Sequence, residues 1–271
     1  MVSFFTSAKQ LGLVVVIVIG LTSAACQRTA DSRTTGELST TTPSSDCRTV
    51  PHLIGETEIC GQPKNMVALG SPALELLLAL DMQPVAYGDH FAPHQGSYDA
   101  PAQQIPYLGS QVTGTPINVG SAFSPSIEAI VKAQPDLILA TEYSEAEYPA
   151  LSALAPTLIL PWFDSDENLR TLAQLVGRPE QAEQLIAKRQ QQIKTAREDF
   201  SAVVQAYPEV LALGTSNFPN LSLMTESNGF CASLVAELGF QLVYPADTDG
   251  TDPAVIPSVS IEILPQLNQA D

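Results

Sequence analysis

The stretch "NMVALGSPALELLLALDMQPVAYGD", residues 65–89, decides how the rest of the chain is read. A short apolar run stops at Gly70-Ser71, a Leu-rich segment follows behind Pro72, and a second short run stops at Gly88-Asp89. This reads as strand, helix, strand, the smallest unit that lays two parallel strands side by side. The rhythm continues downstream. After a Pro- and Gly-rich stretch come the helix "PSIEAIVKAQ", the strand "DLILAT", the helix "YPALSALA" and the strand "TLILPW". Strands alternating with helices predict a mostly parallel sheet and a first α/β lobe.

The alternation then breaks. "GRPEQAEQLIAKRQQQIKTAREDFSAVVQAYP" carries Pro179 where a first helical turn accepts it and Pro208 past the end. Ala182, Leu185, Ile186, Ile193, Ala196, Phe200 and Val203 keep the three-and-four spacing of one helical stripe. Roughly 27 residues at about 1.5 Å each make a rod of about 40 Å, longer than a crossover inside one lobe requires. The segment is therefore expected to be a strut. Beyond it "EVLALGTS" repeats the character of "NMVALGS", and "LSLMTES", the helix "GFCASLVAELG" and "QLVYP" restart the pattern. Cys231 in that helix is expected as a buried core thiol. The tripeptide Ser-Ile-Glu also occurs twice, at Ser126-Ile127-Glu128 and Ser260-Ile261-Glu262, each expected in the first turn of a helix.

The expected fold is α/β, with two Rossmann-like lobes joined by one long backbone helix and a C-terminal lobe that is incomplete at Asp271. Residues 1–25 read as a signal peptide, since Lys9 precedes the apolar run "LGLVVVIVIGLTSAA". Residues 26–46 read as a lipidated cysteine, Cys26, followed by a tether with almost no large apolar side chain. Ordinary cleavage after Ala25 with Cys26 unmodified is the alternative, and either way the chain is expected to be exported. The N-terminal lobe is placed at 47–165, the linking helix region at 166–207 and the C-terminal lobe at 208–271. Cys47 and Cys60 bracket two short strands around Gly55 and fall opposite each other in such a hairpin. Export favours a bridge between them over two free thiols.

The formal charge is −17 with only 12 lysines and arginines, which argues against nucleic acid as the partner of the folded part. The chain has no G-x-S-x-G elbow, phosphate loop or dinucleotide fingerprint, and no spacing of Ser, His and Asp singles out a triad. It does not read as an enzyme, with an exported hydrolase as the remote alternative.

"HLIGETEI", "MVALGSPALELLLALDMQPVAYG", "SIEAIVKAQPDLILA" with "LSALAPTLIL", and the central helix stand in an order that resembles one family. These are the helical-backbone (class III) periplasmic solute-binding proteins of iron–siderophore and vitamin B12 ABC importers. The resemblance covers roughly residues 47–271, and the hairpin looks most like the ferric-siderophore branch, ferric-dicitrate and hydroxamate binders included. It implies a monomeric lipoprotein at the periplasm or cell surface that captures a ferric siderophore between its lobes. It also implies an ABC permease as partner, a ferric chelate as ligand and no cofactor. In that family a surface glutamate on each lobe docks with the permease, and the matching residues are Glu128 and Glu262. From residue type alone, each is equally an acid placed at a helix N-terminus.

Ligands of α/β lobes bind beyond the carboxyl ends of strands. The loops there offer Ser71, Tyr87, Asp89, His90, Phe91, Tyr98, Glu142, Tyr143, Trp162 and Phe163 in the first lobe. The second lobe offers Thr215, Ser216, Asn217, Phe218 and Asn228. Ser71, Tyr87, Asp89, His90, Tyr143, Trp162, Phe163, Ser216 and Asn228 are the expected ligand contacts, although any one ring serves equally well in core packing. No arginine or lysine falls in these loops, so a neutral or cationic, hydroxamate-like chelate is expected over ferric dicitrate. Haem, cobalamin and a bare zinc or manganese ion remain as alternatives. His90 and His94 beside Asp89 are the residues a metal would use, and they are too few for a closed site.

Overall fold

The structure, a computed structural model, describes residues 46–90, 96–217, 220–226, 229–244 and 258–263. The first elements are β1 (Cys47–His52) and β2 (Gly55–Cys60), an antiparallel hairpin in which Cys47 stands opposite Cys60 and the two are disulfide-bonded. Arg48 fastens this hairpin to the body, its guanidinium donating to the carbonyls of Gln174 (2.7 Å), Leu175 (2.9 Å) and Gly61 (3.1 Å).

The central sheet starts with β3 (Met66–Leu69), passes through α1 (Ser71–Ala79) and returns as β4 (Ala86–Asp89). A single turn, α2 (Pro101–Gln104), leads to β5 (Ile117–Ser121) and the short antiparallel β6 (Ser124–Pro125). Next come α3 (Ile127–Ala133), β7 (Leu137–Thr141), α4 (Tyr148–Ser152) and β8 (Thr157–Leu160). The six strands lie in the order β6-β5-β4-β3-β7-β8, with every pair except β5/β6 parallel.

Strand residues alternate between two cores, as the two-residue pleat requires. Met66, Ala68, Leu137, Leu139, Leu158 and Leu160 face one core. Val67, Leu69, Ile138, Ala140 and Ile159 face the other. Both faces are covered, so these strands read as continuous apolar runs rather than alternating ones. Asp136 sets the register at the start of β7, its carboxylate accepting from the backbone N–H groups of Lys64 (2.8 Å) and Asn65 (2.9 Å).

Two helices follow, α5 (Ser165–Leu175) and the long α6 (Pro179–Ala206), 28 residues with Pro179 in its first turn. Gln181 donates to the Ala79 carbonyl (3.0 Å) and Arg178 to that of Leu80, so the start of α6 satisfies the open end of α1. Of the expected stripe, Ala182 and Ile186 are buried, while Phe200 and Val203 stay exposed.

Past α6 the described residues depart from the expected repeat. "EVLALGTS" forms two strands, β9 (Glu209–Val210) and β10 (Leu213–Asn217), and β10 pairs antiparallel with β11 (Asn220–Leu223). Only residues 218–219 separate β10 from β11, and so short a link permits a hairpin but no parallel crossover. After α7 (Phe230–Glu237) come β12 (Gln241–Leu242), parallel to β9, and β13 (Ser258–Ser260), antiparallel to β11. Cys231 is exposed, not buried, because α7 turns Ala232 inward in its place. The second Ser-Ile-Glu likewise closes a strand and enters a 3-10 turn at Ile261–Ile263, whereas Ser126 caps α3 with its hydroxyl accepting from Ala129 N–H (3.3 Å). The whole is a mixed α/β architecture with a parallel-rich sheet and a long helix.

Candidate functional site

Because β3, β4, β7 and β8 run the same way, their carboxyl ends share one edge of the sheet. The chain steps from β3 outward to β4 and β5, then back across β3 to β7 and β8. That reversal is the position where open α/β sheets bind ligands.

Four side chains meet there. His90 follows β4, Phe123 sits in the turn between β5 and β6, Tyr143 follows β7 and Trp162 follows β8. The ring of His90 lies 4.6 Å from that of Trp162, 4.9 Å from Phe123 and 6.3 Å from Tyr143. Tyr143 stands edge-on to both Trp162 (5.1 Å) and Phe123 (5.8 Å), the arrangement that ring quadrupoles favour. Phe163 extends the row to Phe230 on α7, at 5.2 Å.

Backbone features hold this aromatic shelf in place. Gly70 takes a φ of +97°, and a Cβ there would collide with Cε1, Nδ1 and Nε2 of His90. Only glycine leaves room for the imidazole against the end of β3. The Trp162 backbone N–H donates to the Glu142 carboxylate (2.9 Å), and Asn168 Nδ2 donates to the Pro161 carbonyl (2.6 Å). Burial lowers the His90 pKa to about 4, against a smaller opposing pull from Asp89, so the ring is neutral at pH 7. Among the described residues neither ring nitrogen of His90 has a hydrogen-bond partner.

Some expected contacts lie elsewhere. Tyr87 is only 1% exposed and packs in the core against Tyr98, away from the surface the other rings share. Its hydroxyl is hydrogen-bonded to Asp89, and burial together with that carboxylate pushes the phenol far above its ordinary range. Tyr98 is also fully buried, its phenol pushed up to about 12 by burial and then by Asp89. Asp89 itself is 5% exposed, turned inward beneath the shelf. In a strand as short as "AYGD", with every residue buried, the sequence pattern does not reveal which side chains point inward. Ser71 is half-buried as the first residue of α1. Thr215 is exposed on β10; the side chains of Ser216 and Asn217, together with Cys26, Phe91, His94, Phe218 and Asn228, lie outside the described residues.

Phe123 and Phe230 were not among the expected contacts. Phe123 sits in the turn before a two-residue strand that has no sequence signal, and Phe230 opens a helix otherwise read as core. Among the described residues no group of three or more His, Cys, Asp and Glu side chains is placed to hold a metal ion, and no helix is long and apolar enough to cross a membrane.

A family model described as periplasmic binding protein matches residues 66–258. The chain belongs to the periplasmic binding protein family. Members of this family are substrate-binding proteins rather than enzymes. The chain is 25% identical over 250 residues to the putative ABC transporter substrate-binding lipoprotein YhfQ of Bacillus subtilis, covering 89% of this chain and 70% of YhfQ. It is 29% identical over 188 residues to the probable siderophore-binding lipoprotein YfiY of the same organism, covering 66% of this chain and 52% of YfiY. Among solved structures, Staphylococcus aureus SirA complexed with staphyloferrin B superposes with a TM-score of 0.60 at 25% identity, covering 72% of this chain and 64% of SirA. The chain thus spans between about half and seven tenths of the length of these periplasmic binding proteins.

Proposed function

We propose that the chain is the substrate-binding component of an ABC importer, capturing a ferric siderophore on the aromatic shelf and delivering it to the permease. The observation that carries this reading is the shelf itself, with His90, Phe123, Tyr143 and Trp162 gathered at the strand reversal of a periplasmic binding protein. Rings with a neutral imidazole suit a bulky, partly apolar chelate, and ring faces attract a cationic one. Glu142 and Asp89 place negative charge beside the shelf, and no described arginine or lysine stands on it. A hydroxamate-type chelate, neutral or cationic, is therefore the cargo rather than ferric dicitrate. Export behind residues 1–25 and a lipid on Cys26 would keep the protein beside its permease, as the names of its lipoprotein relatives also point to. Glu128, 81% exposed and paired with Lys132 at 3.0 Å, and the exposed Glu262 are the proposed docking points.

Trp162 is the single tryptophan, so quenching of its fluorescence reports cargo at the shelf. Ferric desferrioxamine is expected to bind more tightly than ferric dicitrate. The reverse order would overturn the assigned cargo class.

A further inference from the structure

Beside Trp162 lies a trough of about 340 Å³ between α1, α5 and α6. Leu76 and Ala79 of α1, Leu169 of α5, and Leu185 and Ile186 of α6 form its floor and walls, and Phe230 closes one end. Its polar groups are confined to Ser165, Asn168, Glu75 and the Asp166–Arg189 pair, which is closed at 2.8 Å. Trp162 lines both the trough and the shelf, and the ring of Phe163 lies 6.4 Å from Trp162 and 5.2 Å from Phe230, so the two sites adjoin at Trp162.

We infer that this trough is a second subsite, which takes a hydrocarbon chain carried by the ferric chelate that sits on the shelf. The inference rests on the cargo reading above and narrows it to amphiphilic chelates. Size and lining fit an alkyl chain. At about 30 Å³ per water-sized group the trough has room for roughly ten such groups, the length of a medium acyl tail. Charge decides against a free fatty acid. Its carboxylate would face Glu75 and Asp166, and among the described residues the one cation in the lining, Arg189, is already engaged by Asp166. A tail whose head group is held on the shelf brings no such charge.

The test compares the ferric complexes of N-acetyl- and N-octanoyl-desferrioxamine, which carry the same charge and the same iron centre and differ by six methylenes. Wild-type protein is expected to bind the octanoyl complex about tenfold or more tightly, since each buried methylene is worth up to about fourfold. Ala79→Phe and Ser165→Phe each fill the trough without touching the shelf. Both are expected to lose that gain while keeping wild-type affinity for the acetyl complex, with unchanged melting temperature as the folding control. Equal affinity of wild type for the two complexes would overturn the subsite and leave the cargo reading intact. Octyl glucoside, an uncharged amphiphile, probes the trough without any chelate. If neither complex binds but octyl glucoside still distinguishes wild type from both filled variants, the trough stands and the cargo reading falls. Octyl glucoside that binds all three proteins alike, or none, with neither complex bound, would overturn both.

Discussion

Gly70 and His90 form the smallest unit of the shelf, one supplying a backbone conformation and the other a ring that occupies the space left by the missing Cβ. Gly70→Ala adds both a left-handed strain and a collision, and is expected to cost about 2–4 kcal/mol, or roughly 4–16 °C in melting temperature. Trp162 emission should shift as the imidazole is displaced. His90 also makes a pH prediction with a defined sign. Its folded pKa of about 4 lies below the ordinary 6.5, so between those values the unfolded chain holds a proton that the folded chain refuses. The contribution to stability is full above pH 6.5, is lost as pH falls through that window and is constant below about pH 4. His52, also lowered by burial, acts in the same direction. Urea unfolding of wild type and His90→Phe at several pH values separates the two, and the variant should show the shallower loss. At this scale the sequence was only partly legible. His90, Tyr143, Trp162 and Phe163 stand where strand ends predict them, because the carboxyl end of a parallel strand is visible as an apolar run meeting a polar or aromatic residue. Tyr87, Asp89 and Tyr98 fall in similar runs but turn inward, and that choice is made by tertiary packing.

Among the elements, α6 divides into an anchored half and an open half. Ile186 is 3% exposed against α1 and α5, while Phe200, on the same stripe, is 44% exposed. Ile186→Ala is therefore expected to cost about 2–4 kcal/mol and Phe200→Ala less than about 1 kcal/mol, read from denaturant midpoints at constant slope. The helix was legible over its full length because its periodicity and flanking prolines are local signals. What covers each turn is a matter of distant partners, which periodicity does not encode. The same distinction explains β10 and β11. Their apolar runs were visible, but their pairing was set by a two-residue link, and strand polarity follows from link length rather than strand composition.

For the whole molecule, cargo capture and permease docking are proposed for different surfaces. Reversal of charge at Glu128 and Glu262 together is expected to abolish uptake in cells while leaving the dissociation constant for ferric desferrioxamine unchanged. Loss of ligand affinity in that double variant would refute the separation. The formal charge of −17 adds that any productive encounter with a basic permease face should slow as ionic strength rises. The shelf-bearing loops leave parallel strands of one sheet, and none of their side chains takes part in the backbone ladder that joins those strands. Changes at exposed positions of those loops, such as Phe123 and Tyr143, therefore leave the strand ladder itself intact. If the proposed cargo class holds, such a lineage can drift from one chelate to another by editing the tips of its strands, so ligand preference should diverge among descendants far sooner than architecture.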